Sequence, residues 1–426
     1  MRKSIFTFVL LAISFSVFAQ SYTARVLVLN EGYYDYISGE ILEPVTVGSF
    51  DPSTATYTTL HTIAGARFAS DIVIAGDVYF VAADDQLLKY DLATDALLDA
   101  AEVQGIRKVA VTDEQVIVTR GEYMVELPAY VQVYDLNTLD LAYEISADVL
   151  PHTTEGVSIQ DGKAYIAVNN AFIWGEEVGY IAVLDLATQT IAQTIDLGVD
   201  GINPDNLMME GEYVYTLNNK DFTGSSVSAY RMTTGEISTT NLANISSGCG
   251  TSAIQSGTIY YQELFGTTVS RFDAGTATIL GEDEYGVSFY GLDFDPVSGY
   301  MYTSETDFFS YGTVHAYDAD MNIVYTFNAG VSPGNFAFDV RLEAGISEQE
   351  VAHVQVYPNP VVDHFTVDAG LPIEQLIICD ITGKQLMQVQ GNAQTQCTVG
   401  VEGIPAGLYT LTTVFANGSA TEVFQK

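Results

Sequence analysis

The sequence predicts an all-β protein, a seven-bladed β-propeller followed by a small C-terminal β-sandwich. Two observations carry this. First, a short pattern (aromatic or apolar residue, Asp, then Thr three positions on) recurs along the chain. It is clearest at Phe50-Asp51…Thr54, Tyr90-Asp91…Thr94, Tyr134-Asp135…Thr138 and Leu184-Asp185…Thr188. Weaker copies stand at Tyr230-Arg231…Thr234, Phe272-Asp273…Thr276 and Tyr317-Asp318…Met321, with intervals of 40, 44, 50, 46, 42 and 45 residues. Seven copies at this period are the signature of propeller blades. Second, the composition suits such a fold: 48% hydrophobic residues, 36 Gly, 27 Tyr and 21 Phe among 426. In the recurring turn the carboxylate and hydroxyl can cap backbone N–H groups, so its role is structural.

Each interval repeats one internal order. A first strand (71–75, 108–112, 156–160, 206–210, 291–294) leads through a tight Gly or Asp turn to a second strand (78–82, 116–119, 164–168, 213–217, 259–262, 301–304). The Asp turn closes the third strand, and an alternating β-branched fourth strand follows, as in 190–197. The first repeat opens at Val26–Asn30 without a first strand, and one spare strand, Asn335–Arg341, follows the seventh. The far end of the chain is therefore expected to complete blade one, which removes sheet edges that would otherwise invite aggregation.

Formal charge is −39, from 15 Lys plus Arg against 54 Asp plus Glu. This argues against nucleic acid as a partner, since cationic side chains must replace phosphate counterions. Arg2 and Lys3 precede an apolar run to Phe18, too short to span a bilayer but suited to a signal peptide over residues 1–19. No later stretch is apolar enough to cross a membrane, so the mature chain is expected to be exported without a transmembrane segment. The expected propeller spans 20–344, a polar linker 345–352, and a second domain 353–426. Three cysteines are too few for a disulfide framework; Cys379 and Cys397 either pair or remain thiols, as does Cys249. No His or Cys pair has metal-ligand spacing, and neither a metal nor another cofactor is expected.

Two resemblances follow. The repeats over about 22–343, with Val28-Leu29-Asn30-Glu31-Gly32, Gly39-Glu40 and Phe50-Asp51-Pro52, resemble the surface-layer (YVTN-type) propellers of a Bacteroidetes surface family. One branch of that family captures cobalamin, which the resemblance puts first among ligands. Those relatives are lipoproteins, whereas this chain has no lipid-bearing Cys at the expected cleavage point. Residues 353–426 resemble the type A sorting domain of type IX secretion through Tyr357-Pro358-Asn359-Pro360, Asp380…Gly383-Lys384, Pro405-Ala406-Gly407-Leu408-Tyr409 and the basic end at Lys426. That resemblance implies the type IX machinery as a partner and release or attachment at the cell surface.

In a propeller the loops between second and third strands share one face with the loops between blades, and here that face is aromatic. The candidate ligand residues on the former are Tyr33, Tyr34 and Tyr36, Tyr123, Phe172 with Trp174, Phe222, Phe265, and Phe309 with Tyr311. The latter add Phe68, Arg107, His152, Asn203, Phe289 and Tyr290. Flat rings with polar edges suit a cobalamin-like compound, a glycan or a protein side chain. No catalytic motif is visible, so the chain is expected to bind rather than catalyse. The alternatives are a propeller hydrolase or lyase using His152 as base, and a structural or adhesive surface protein.

Overall fold

The computed structural model describes residues 20–342 and 354–426, apart from 174, 221–223, 244–250, 264 and 416–417. The expected signal peptide, the linker, Cys249, Trp174 and Phe222 lie outside the described residues. The chain divides into two compact units, Ser21–Leu342 and a C-terminal unit from Glu343 on.

The first unit contains, among the described residues, seven four-stranded antiparallel sheets. Six are local meanders; blade 2, for example, runs Ala69–Ala75, Val78–Ala83, Gln86–Asp91 and Leu97–Glu102 from inside to outside. The seventh, blade 1, is composite. Its inner strand is Pro333–Leu342, paired antiparallel with Ser21–Asn30 in a register that sets Val26 opposite Phe338 and Asn30 opposite Pro333. The inner strands touch in sequence, each blade against the next, and the last returns to the first, so the ring closes.

The packing explains why the second strands read as unbroken apolar runs. In a strand, neighbours point to opposite faces, and a propeller buries both faces between flanking blades. Val26 and Val28 pack with Tyr302, Val314 and Ala316 of blade 7, whereas Leu27 and Leu29 pack with Ile72, Tyr79 and Val81 of blade 2. The same split recurs in blade 2, where Phe80 and Ala82 face Val116 and Val118 of blade 3. Outer strands have water on one side and alternate accordingly, as Thr190–Asp196 does.

The Asp turns cap themselves as the sequence suggests. Asp91 Oδ1 accepts from the Ala93 and Thr94 amides and from Thr94 Oγ1 at 3.1, 2.8 and 2.7 Å. Equivalent bonds form at Asp51, Asp135, Asp185, Asp273 and Asp318, and in every one they hold the carboxyl below its ordinary pKa.

The C-terminal unit is one five-stranded sheet. Its long strands His364–Asp380 and Gln385–Gly400 pair across register shifts between Asp368 and Gln375. Phe365, Val367, Ile373, Leu376 and Leu411 are fully buried in one cluster. No helix covers them among the described residues. Tyr409 donates to the Pro405 carbonyl at 2.6 Å, and Lys426 Nζ donates to the Val401 and Ile404 carbonyls. Cys379 and Cys397 are free thiols. They sit opposite different partners, Gln385 and Val367.

Candidate functional site

A recurring backbone bond builds the loop face. The end of each second strand is tied to the adjoining interblade loop: Gly32 N–H to Val331 O, Asp84 to Phe68, Gly121 to Gly105, Asn169 to Thr153 and Asn219 to Asn203. These ties bring both loop classes around the axis, where a cavity of about 840 Å³ opens. That size falls within the usual range for small-molecule sites.

Six of the sixteen candidate residues line this cavity: Tyr36, Phe68, Arg107, Tyr123, Phe172 and Tyr290. Tyr36 and Tyr123 stand exposed at its rim. Arg107 makes a two-pronged ion pair with the buried Glu155 at 2.9 and 3.0 Å, and its guanidinium lies 5.2 Å from the Phe172 ring centre. Arg67 repeats the device, bonding Asp84 at 2.9 Å while resting over Phe68.

The remaining described candidates lie elsewhere. Phe289 is 3% exposed and belongs to the interblade core with Leu292, Met301 and Tyr317, so it is a packing residue. Asn203 is 1% exposed and holds a left-handed backbone (φ 58°) in a loop whose groups bond Val178 and Asn219, so its role is conformational. His152 stacks on Tyr180 at 6.4 Å, outside the cavity lining. Tyr33 packs edge-on against Phe309 at 5.0 Å, and Tyr34 against Tyr36 at 4.8 Å. Phe265, Phe309 and Tyr311 are exposed on the loop face, away from the cavity. Blade 2 brings no aromatic residue to this loop class, because Asp84-Asp85 alone joins its second and third strands.

The walls below the rim come from the inner strands. Their first residues are polar and tie blade to blade. Lys108 Nζ donates to the Ser70 carbonyl at 2.7 Å and lies 3.9 Å from Asp71, whose other oxygen accepts the Val109 amide at 2.8 Å. Asn206 Nδ2 reaches Ser252 Oγ at 2.8 Å, and Thr251 Oγ1 donates to Tyr290 O at 2.6 Å. Desolvation dominates the wall carboxyls. Burial pushes Glu31 up to about 7, although Tyr290 donates to it at 2.7 Å and Lys108 and Arg107 oppose the rise. Burial likewise lifts Asp293 to about 6, helped by repulsion from Asp71 and opposed by the Phe294 amide. Among the described residues no group of three or more His, Cys, Asp or Glu is arranged to hold a metal ion.

Residues 355–425 match the family model of the secretion system C-terminal sorting domain. Type IX secretion carries this propeller to the cell surface or the exterior. No helix among the described residues is long and apolar enough to cross a membrane. No curated protein matches the chain. Among solved structures, a functionally unknown protein from Desulfotomaculum acetoxidans is similar at 15% identity with a TM-score of 0.56, over 74% of this chain and 99% of that one. A quinoprotein alcohol dehydrogenase-like protein from Bacteroides thetaiotaomicron is similar at 13% identity and TM-score 0.55, over 75% and 79%. The dihydro-heme d1 dehydrogenase NirN follows at 15% and 0.50, over 89% and 76%. At these identities the likeness concerns the propeller fold alone.

Proposed function

We propose that this exported propeller captures a small ligand in its axial cavity and holds it without chemical change. The observation that carries the reading is the cavity itself, whose aromatic rim stands over polar strand ends held by interblade bonds. Rigid first residues on strands and adaptable aromatics on loops are what selective capture requires. A cobalamin-like compound leads by family resemblance, followed by glycans and peptides. His152 stacks on Tyr180 outside the cavity lining, which favours capture over a hydrolase reading with that base. Export to the surface suits capture from the medium.

Calorimetric titration of the full chain with cyanocobalamin, cobinamide, cellohexaose and an unblocked pentapeptide tests this. A saturable heat is expected with one class. Replacing Tyr36 and Tyr123 together by alanine is expected to weaken it about tenfold or more, at ~1–1.5 kcal/mol per exposed ring. The melting temperature should not move, because both rings are exposed. Unchanged affinity in the double variant contradicts the site.

A further inference from the structure

The charge around the axial cavity carries a second step, which rests on the capture reading and names the class of ligand. Seven carboxylates line the cavity against three cations. All three cations are already committed within the protein: Arg67 to Asp84, Arg107 to Glu155, and Lys108 to the Ser70 carbonyl and Asp71. An anionic ligand would have to take a cation from a buried or half-buried carboxylate, which leaves that carboxylate uncompensated at a cost of several kcal/mol.

Asp293 presents the converse situation. It sits on the inner strand of blade 7, within electrostatic reach of Asp71, so that two like charges face the same cavity. Its one bonded donor is the amide of Phe294 at 2.7 Å. The flanking inner strands bring it Ser252, Ala253 and Ile254 from one side and Gly334, Asn335 and Phe336 from the other, none of them charged. Among the described residues no Lys, Arg or His lies within ion-pair distance of it. The exposed rings of Tyr36 and Tyr123, which line the same cavity, offer electron-rich faces, the surface that attracts ammonium and guanidinium groups.

We propose that the axial cavity takes a cationic ligand, one with an ammonium or guanidinium group on an apolar frame, and that this cation is the counter-ion of Asp293. The frame lies among the rim aromatics while the charge reaches the strand-borne carboxylates.

Three fluorescent probes with one aromatic frame test this on the full chain at physiological salt: dansylcadaverine (cationic), dansylamide (neutral) and dansylglycine (anionic). Dansylcadaverine is expected to bind at least tenfold more tightly than dansylglycine. In D293N that preference should fall at least fivefold, with dansylamide affinity unchanged. E114Q removes one charge from an exposed turn on the opposite face and controls for the overall negative charge; it should leave the preference intact. Equal affinities, preference for dansylglycine, failure of dansylcadaverine to bind, or equal losses in D293N and E114Q each overturn the cationic class. Those results leave capture standing if cyanocobalamin, cobinamide, cellohexaose or the pentapeptide binds; capture itself falls only when none of these binds either.

Discussion

Replacing Arg25 by alanine is expected to lower the melting temperature of the propeller by about 5–10 °C, the largest stability loss from any one side chain outside the apolar core. Ring closure is the reason. Arg25 lies on the first strand of the chain and reaches in two directions. Its guanidinium bonds Asp95 in the turn of blade 2 at 2.9 and 3.0 Å, and its Nε bonds Asp339 on the chain-closing strand at 3.3 Å. It also donates to the Leu92 carbonyl. On the other side of the same strand, Thr23 donates to Asp295 of blade 7 at 2.6 Å. One strand is thereby fastened to blade 2, blade 7 and the far end of the chain. Asp339 is 2% exposed, and removing one partner of a buried pair costs about 3–5 kcal/mol. Arg341 also pairs with Asp339 and retains part of this. Arg25→Lys keeps the charge but not the fork, and is expected to recover less than half of the loss. Differential scanning calorimetry of the three proteins decides it; an alanine variant within about 2 °C of the parent contradicts the clasp.

The second large effect runs opposite to usual surface-charge behaviour. Asp293→Asn is expected to raise stability by about 1–2 kcal/mol near pH 7.5 and to change it little near pH 4.5. The sign follows from the direction of the shifts. Asp293 stands at about 6 and Glu31 at about 7, both above their ordinary values of 3.8 and 4.5. Between about pH 4 and pH 7 the folded protein therefore holds more protons than the unfolded chain, so stability falls as pH rises through that window. Asparagine removes the charge that burial penalises. A shift of about two units corresponds to about 3 kcal/mol, which residual solvent at the cavity wall reduces. The six capped Asp turns act in the other direction, because their lowered carboxyls lose stability as pH falls through their folded values. Chemical denaturation of wild type and variant at the two pH values measures the difference. Equal gains at both pH values would refute the electrostatic origin. A carboxylate kept at such a cost is what a binding site retains and a structural core discards.

The fold was legible because its determinants are local and repeated. The Asp-x-x-Thr turn satisfies its own backbone, and each second strand is apolar throughout because both of its faces are buried. Blade closure could be inferred from an unpaired first repeat and a spare last strand. Of the candidate site, mainly the loop aromatics were legible. Tyr36, Phe68, Tyr123, Phe172 and Tyr290 stand out in sequence as loop aromatics, and they line the cavity. Phe289 has the same signal, but which way a loop residue turns depends on the neighbouring blade. Of the wall, Arg107 alone was among the candidates, though a signal for the rest existed. Inner strands open on Ser70-Asp71, Arg107-Lys108, Glu155-Gly156, Asp205-Asn206 and Gly334-Asn335 before turning apolar. A buried strand has no use for charge at one end unless that end faces a channel.

The most direct test of the central claim, that the axial cavity is the ligand site, is oxidative footprinting of the full chain with and without a bound probe from the titrations above. Tyr36, Tyr123 and Tyr290 line the cavity, while Phe265 and Tyr311 are exposed outside it on the same face. Ligand is expected to protect the first three severalfold and leave the last two unchanged. Protection of Phe265 and Tyr311 with Tyr36 and Tyr123 still reactive would place binding on the outer loops and contradict the account.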